Sequence, residues 1–312
     1  MSPQIPVVII AGPTGVGKTA ASIEIAKALC GEIISCDSMQ IYKGMDIGTA
    51  KVTAQEAEGV PHHLIDVVSP RQNFSVCDYV DMCRTAVCDI TSRGKLPVMV
   101  GGTGLYIDSF IDDIDFKDSC TDDKYRAELE QLASEKGCEY LHRMLAAVDE
   151  ESAKAIHANN VKRVIRALEY YKLTGTTISE HNRLSKQKKS PYNYCYICLT
   201  RNREQLYSRI DRRVDIMLEQ GLVDEVKSLI DRGIDRDCTA MQAIGYKEVA
   251  EYLDGRADYP TMVETLKRNS RHYAKRQLTW FKRRDDIYWI NLSETDNCTE
   301  MCIDYIERNI KV

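Results

Sequence analysis

An α/β fold, in which a parallel sheet forms the core and carries an inserted small all-helical domain, is the architecture that the sequence predicts. The first observation is the run "VVIIAGPTGVGKTAASIEIAKAL" at residues 7–29, where a buried strand leads through a glycine-rich loop into a helix. The second is a series of short apolar segments that helical patterns separate, as βαβ units require. The third is a long charged stretch of helix-forming residues, without a strand pattern, in the middle of the chain.

The predicted strands are short runs of apolar and β-branched residues. They cover residues 7–11, 32–36, 63–68, 96–100, 193–200 and 287–292. In open parallel sheets, ligands bind at the carboxyl ends of the strands. We therefore expect functional side chains directly after these segments.

The charged stretch predicts a second domain. We expect residues 1–116 and 192–312 to form the catalytic core and residues 117–191 to form the inserted helical domain. The insertion ends in the basic segment "EHNRLSKQKKSP".

The composition is that of a globular protein, with 44% hydrophobic residues and a net charge of −5. No apolar run approaches the roughly 20 residues of a membrane span, and the N-terminus lacks the basic region of a signal peptide. We therefore expect a cytoplasmic protein whose 12 cysteines are reduced. Cys195 and Cys198 form a C-x-x-C pattern inside a predicted strand, where we expect them to pack in the core rather than bind zinc.

The loop "GPTGVGKT", Gly12 to Thr19, fits the P-loop pattern G-x-x-x-x-G-K-[ST]. Its backbone N–H groups and the following helix N-terminus can face phosphate oxygens. Lys18 is expected to reach the phosphates, and the Thr19 hydroxyl is expected to be a Mg²⁺ ligand. The core is therefore predicted to be P-loop NTPase-like and to hold a polyphosphate.

Two further strand ends carry candidate groups. Asp37 directly follows the second strand, where it can act as a general base, bind Mg²⁺ or cap the next turn. Gly101, Gly102 and Thr103 follow the fourth strand, at the place where P-loop ATPases and GTPases commonly carry an acid. This absence of an acid, together with the lack of an N-K-x-D motif, weakens the NTP-hydrolase interpretation.

Two basic surfaces are predicted in this acidic protein. Residues 267–284 contain eight Lys and Arg residues without an acid, while Leu266, Tyr273 and Trp280 or Phe281 are expected to pack into the core. The insertion adds Lys162, Arg163, Arg166, Arg183, Lys186, Lys188 and Lys189. Two such surfaces beside a P-loop favour a polynucleotide substrate over a free nucleotide.

Six motifs then carry a family resemblance. They are "DSMQIYKGMDIGTAK" (37–51), "VPHHLIDV" (60–67), "VGGTGLY" (100–106), "NNVKRVIRALEYY" (159–171), "AMQAIGYKE" (240–248) and "YAKRQLTWF" (273–281). In this order they resemble the bacterial tRNA dimethylallyltransferases. The resemblance covers residues 7–284, and the C-terminal zinc finger of many eukaryotic relatives is not expected.

The resemblance implies a reaction in which the P-loop binds dimethylallyl diphosphate rather than ATP. The dimethylallyl group is transferred to N6 of the adenosine immediately 3′ of the anticodon in tRNA, and diphosphate leaves. Asp37 is implied as the general base, with Lys18 and Thr103 as further catalytic residues. The implied diphosphate site, with Mg²⁺ at Thr19, consists of Gly12, Thr14, Gly15, Val16, Gly17, Lys18, Thr19 and Arg213.

The resemblance also implies which residues contact the tRNA anticodon arm. Asp37, Ser38, Met39, Gln40 and Thr103 match the segments around the flipped base. Contacts with the arm are implied for Arg126, Val161, Lys162, Arg163, Val164, Ile165, Gln242, Ala243, Ile244, Gly245, Tyr246 and Lys247. The family is monomeric, so no obligate protein partner is expected.

Three alternative functions remain open at this point. A P-loop nucleotide or small-molecule kinase would explain the loop, with Asp37 as a metal ligand and the insertion as a lid. A prenyltransferase acting on free adenylate would share the core without needing a basic insertion. An RNA-binding protein gated by a nucleotide would not need Asp37 as a base.

Overall fold

The computed structural model describes residues 4–114, 122–187 and 189–310, without the side chains of residues 185–187. The chain forms two compact units. One comprises Met1–Ile111 and Pro191–Val312, and the other comprises Asp112–Ser190. The predicted boundary at 116/117 lies outside the described residues, whereas the second boundary falls one residue before its predicted place.

A six-stranded parallel sheet, in the order β3-β2-β4-β1-β5-β6, forms the core of the first unit. The strands are β1 (Ile5–Ala11), β2 (Gly31–Cys36), β3 (His62–His63), β4 (Leu96–Gly101), β5 (Tyr192–Thr200) and β6 (Tyr288–Asn291). β1 lies between β4 and β5, so Ile10 is opposite both Val100 and Ile197 and is fully buried. This central place explains the apolar run before the P-loop.

The predicted strand at 63–68 is wrong over most of its length. Only His62–His63 pairs with β2, and Val68 forms an isolated bridge with Tyr42. Leu64 and Asp66 adopt left-handed backbone conformations, with φ of 60° and 56°. Such angles turn the chain out of an extended path, so pairing cannot continue.

The helices surround this sheet and build the second unit. They are α1 (Lys18–Ala28), α2 (Ala54–Ala57), α3 (Val76–Ser92), α4 (Gly104–Ile111), α5 (Asp123–Lys136), α6 (Cys138–Val148), α7 (Glu150–Ala155), α8 (Val161–Thr174), α9 (Ile178–Gln187), α10 (Arg203–Glu219), α11 (Leu222–Asp231), α12 (Tyr246–Leu253), α13 (Tyr259–Phe281) and α14 (Cys298–Asn309). A 3₁₀ turn spans Ala240–Gln242. The sequence did not predict α14, which buries Cys302 and Ile306 in the sheet core.

Apolar clusters stabilise the first unit, and two of them lie among its described residues. One lies around the sheet and contains Val8, Ile33 and Ile197. The other joins α10–α13 to residues 41–45 and is centred on Tyr246 and Leu222, both without exposed surface. The second cluster therefore fixes the 240–247 segment beside the carboxyl ends of the strands.

The second unit is entirely helical over its described residues, α5–α9. Its core contains Leu141, Leu145 and Leu168. The buried carboxylate of Glu169 forms ion pairs with Arg126 and Arg166, at 2.7 Å in each case. This network explains how a helix as polar as α8 can pack a charged residue inside.

The points where the chain leaves and re-enters the first unit lie side by side. The ring of Phe110, near the end of α4, stacks on Tyr192, the first residue of β5, with 4.3 Å between the ring centroids. Both residues are buried. The insertion thus begins and ends at one fixed place on the sheet.

Cys195 and Cys198 are buried in β5, as predicted. Across the described ranges, no cluster of three or more His, Cys, Asp or Glu side chains has the arrangement of a metal site. A membrane-spanning helix is likewise not found in the described part of the chain.

Candidate active site

A cavity of about 1010 Å³ opens at the carboxyl ends of β1, β2 and β4. α10 and α13 supply much of its remaining wall. The predicted site residues that line it are Thr14, Gly15, Gly17, Lys18, Thr19, Asp37, Ser38, Met39, Gln40, Arg213, Gln242, Ala243, Ile244 and Gly245. The fold therefore gathers at one place residues that are up to 231 positions apart in the chain (245 − 14).

The P-loop is shaped by left-handed glycines and by its own lysine. Gly15 and Gly17 have φ of 78° and 112°, which residues with a side chain rarely adopt. The Lys18 ammonium donates to the carbonyl oxygens of Gly12 and Pro13, at 2.9 Å each. Burial, together with the nearby Arg213, lowers the pKa of Lys18 to about 8. Lys18 is thus held at the base of the loop, and a bound anion would stabilise its charged form.

Two arginines hold the outer carbonyls of the same loop. Arg209 Nε donates to Gly15 O and Arg201 Nε donates to Val16 O, at 2.9 Å in both cases. Arg209 also lines the cavity. These two contacts fix the path of the loop backbone from outside. Arg201 was not predicted as a site residue, although it directly follows β5, where functional side chains are expected.

Arg213 is half-buried in the cavity wall and forms no ion pair within the described residues. Desolvation lowers its pKa, while Asp37 and Glu56 act in the opposite direction. A guanidinium in this position, close to the P-loop lysine, creates an electropositive end of the cavity.

Asp37 lies at the end of β2 and faces the same cavity. One carboxylate oxygen, Oδ1, accepts the Met39 backbone N–H at 2.9 Å, so the turn-capping role is real. The other oxygen has no hydrogen-bond partner within the described residues. Asp37 is therefore held by one oxygen and can accept a proton with the other.

Thr103 does not line the cavity but lies next to Asp37 and its loop. Thr103 N donates to Cys36 O at 3.1 Å, and its hydroxyl accepts the Ser38 N–H at 3.2 Å. Tyr273 is also close by: burial raises its pKa, and Thr103 acts in the opposite direction. Tyr273 was predicted to pack into the core, and this is wrong. It lines the cavity, because α13 turns that face toward the strand ends.

The prediction of an uncompensated basic helix is wrong for three of its eight basic residues. Lys267 pairs with Asp215 at 2.6 Å and Arg271 with Asp211 at 2.7 Å, because α10 brings acids that lie 52 (267 − 215) and 60 (271 − 211) positions away. Arg284 pairs with Asp286 at 2.8 Å. In the part of the chain that the structure describes, the exposed basic residues without an acidic partner along α13 and just after it are Arg268, His272, Lys275, Arg276, Lys282 and Arg283.

Burial corrects several of the implied tRNA contacts. Val164 and Ile165 are 0% and 4% exposed inside the helical unit, and Tyr246 is fully buried with its hydroxyl bonded to Glu225. These three side chains belong to cores and present no surface to an RNA. Their neighbours Lys162, Arg163, Gln242 and Lys247 are exposed.

Other predicted residues have internal partners. Gln40 accepts the Ser35 hydroxyl and donates to Thr49 O, so its amide is already engaged. Gly12 and Val16 are buried members of the P-loop and do not line the cavity. Arg126, Lys162 and Arg163 lie in the helical unit, where Arg183 and Lys189 are also exposed, whereas Lys188 and the side chain of Lys186 lie outside the description.

Comparison with known proteins decides the family. The sequence model described as "IPP transferase" matches residues 40–284. The chain belongs to the IPP transferase family.

Relatives of this family member share nearly the whole chain. A tRNA dimethylallyltransferase of Bacillus velezensis is 56% identical over 288 residues, which cover 92% of this chain and 91% of the relative. The crystal structure of the full-length tRNA isopentenylpyrophosphate transferase from Bacillus halodurans is 48% identical, with a TM-score of 0.74 and 99% of both chains covered.

A more distant structure agrees with the same fold. A eukaryotic dimethylallyltransferase acting on tRNA is 31% identical, with a TM-score of 0.84 over 98% of this chain and 80% of that one. None of these proteins is named a kinase, so the kinase alternative has no support among them.

Proposed function

We propose that this member of the IPP transferase family transfers the dimethylallyl group of dimethylallyl diphosphate to N6 of the adenosine immediately 3′ of the anticodon in tRNA. The observation that carries the proposal is the meeting of the P-loop and Asp37 in one cavity, with Thr103 beside it. A diphosphate and a nucleophile can therefore bind side by side in the same cavity.

The electropositive end of the cavity suits the diphosphate. Lys18, Arg213 and the loop amides can stabilise the negative charge that grows on the leaving group as the allylic C–O bond breaks. Arg209 adds positive charge beside the loop. Lys18 and Arg209 are in place before substrate arrives, because the carbonyl oxygens of Gly12, Pro13 and Gly15 already accept their hydrogen bonds.

Asp37 suits the acceptor. An adenine amino group is a weak nucleophile until its proton leaves, since its lone pair is delocalised into the ring. In the proposed step, N6 forms a bond to the allylic carbon, the C–O bond to diphosphate breaks and the N6 proton passes to Asp37. General-base catalysis of this kind typically contributes about 10²–10⁴-fold in rate.

The cavity also offers a ligand for Mg²⁺. Thr19 lines it and supplies a hydroxyl oxygen, a donor that Mg²⁺ accepts when substrate phosphates complete its shell. When bound, Mg²⁺ would neutralise diphosphate charge.

Two exposed basic surfaces suit the tRNA backbone. The surface on the first unit consists of the basic α13 residues that form no ion pair within the described residues, among them Lys275 and Arg276. The surface on the helical unit includes Lys162 and Arg163. Positive side chains that bind phosphates give salt-dependent RNA affinity. A cytoplasmic location and the absence of an obligate protein partner remain predictions.

The first experiment uses unmodified tRNA, Mg²⁺ and radiolabelled dimethylallyl diphosphate, without ATP. Label is expected at adenosine N6 of the RNA. Absence of label, together with ATP turnover in a parallel reaction that contains ATP, would favour the kinase alternative. Equal labelling in a parallel reaction in which free adenylate replaces tRNA would favour the other prenyltransferase class.

A second experiment tests the base. Asp37→Asn is expected to lower kcat at least 10²-fold while tRNA affinity changes little. The matched control is Asp296→Asn, on the exposed surface. Equal turnover by wild type and Asp37→Asn would exclude Asp37 as the base.

A further inference from the structure

Gln277 is the buried polar side chain that joins the P-loop to the end of β4. It is 6% exposed, and both ends of its amide are engaged. Its Oε1 accepts the Thr14 backbone N–H at 2.9 Å, and its Nε2 donates to Gly102 O at 3.0 Å. These contacts span 263 and 175 positions of sequence, so no local pattern announces them.

Gly102 has the shape that this contact needs. A Cβ atom at Gly102 would lie 2.1 Å from Gln277 Nε2, closer than any real contact. A methyl group at position 102 would therefore displace the Gln277 amide from its two hydrogen bonds, and it would also lie 3.3 Å from the Gly12 carbonyl oxygen. This explains the second glycine of "VGGTGLY" in terms of packing.

One turn earlier on α13, Tyr273 lies close to Thr103, the residue after Gly102, and Thr103 acts to lower the pKa of Tyr273. A single helix face thus lies against Thr14 of the P-loop, Gly102 and Thr103. Thr103 in turn accepts the N–H of Ser38, next to Asp37. Gln277 consequently links the loop that faces the diphosphate with the strand end that carries the proposed base.

We propose that Gln277 is a positioning residue, which fixes the P-loop relative to the Gly102–Thr103 strand end so that leaving group and base are aligned. This rests on the proposed function. Misalignment by about 1 Å is enough to cost roughly 10²-fold in rate.

The test is a double-mutant cycle with Gly102→Ala, Gln277→Ala and the double variant, measured for kcat, tRNA affinity and pyrophosphate affinity. Each single variant is expected to lose about 10²-fold in kcat, with tRNA affinity within threefold of wild type. The double variant is expected to resemble Gln277→Ala, because removing the glutamine makes room for the new methyl group. Gln131→Ala, on the exposed face of α5, is the control.

Two outcomes would overturn the proposal: a kcat for Gln277→Ala within threefold of wild type, or losses that multiply in the double variant. Should Gln277→Ala fail to fold, the isosteric Gln277→Glu takes its place. It keeps an acceptor for Thr14 N–H but opposes Gly102 O with an oxygen, so the same loss of kcat is expected, and normal turnover would refute the role. Pyrophosphate affinity, expected to weaken about tenfold in Gln277→Ala, is measured without tRNA, so it tests Gln277 even if wild type were to label no RNA.

Discussion

Proton uptake on diphosphate binding should report directly on Lys18. Burial is the largest cause that lowers its pKa to about 8, from an ordinary value of 10.5. A bound anion beside the ammonium acts in the opposite direction, since an opposite charge favours the charged form. Binding should therefore return a proton to the fraction of the protein in which Lys18 is neutral.

The size of this effect follows from the pKa. About a tenth of Lys18 is neutral at pH 7, about half at pH 8 and about nine-tenths at pH 9. If bound diphosphate restores an ordinary lysine pKa, uptake through Lys18 should be about 0.1, 0.5 and 0.9 proton at these three values. Affinity for the anion should fall as pH rises through 8, approaching tenfold for each further unit.

The assay is calorimetric titration with pyrophosphate in buffers of different ionisation enthalpy. Lys18→Arg is the matched control, because a guanidinium stays charged throughout this range. Subtracting it removes the titration of pyrophosphate itself. Uptake that is the same in wild type and Lys18→Arg, or that does not increase between pH 7 and pH 9, would refute the reasoning.

Three further predictions concern stability. Arg93, together with His63, lowers the pKa of Glu32 to about 2, so the stability that Glu32 contributes is lost as pH falls from about 4.5 towards 2. Glu32→Gln should therefore lose less stability than wild type over this range, while other carboxyl groups with lowered pKa, such as Glu169 and Asp149, contribute equally to both proteins. Acid titration of the unfolding free energy checks this, and parallel curves would contradict it. Glu225 accepts hydrogen bonds from the backbone N–H groups of residues 46, 47 and 48. Glu225→Ala should therefore lower the unfolding free energy by about 2 kcal/mol in urea titrations, against less than about 0.5 kcal/mol for Glu219→Ala at an exposed position. Equal effects would refute this role of Glu225. Leu141 is fully buried in the helical unit, so Leu141→Ala should lower the unfolding free energy by about 2–5 kcal/mol by the same method. A decrease as small as that caused by Leu173→Ala, at an exposed position, would show that this core is loosely packed.

Sequence reasoning succeeded where the signal was local. The strand, loop and helix at residues 5–28 follow from periodicity and from the position of glycines, and the structure confirms them. It was wrong at 63–68, because the left-handed angles of Leu64 and Asp66 leave no trace in a pattern of apolar residues. Hydropathy describes which side chains are buried, not the path of the backbone between them.

Within the site, the limit was sequence distance. Asp37 and the P-loop could be placed because each follows a strand directly. Tyr273 and Gln277 could not, since their neighbours Thr14, Gly102 and Thr103 lie between 170 (273 − 103) and 263 positions away in the sequence. The acids that neutralise Lys267 and Arg271 were missed for the same reason.

The stacked pair of Phe110 and Tyr192 has a consequence for how this architecture can change. Because the chain departs and returns at neighbouring points, the intervening segment can be exchanged, lengthened or removed by joining residues 111 and 191 with a short linker, without opening the sheet. The helical segment can then vary in length and sequence while the sheet of the first unit keeps its strand order. A chimera carrying the helical segment of another family member tests that modularity directly.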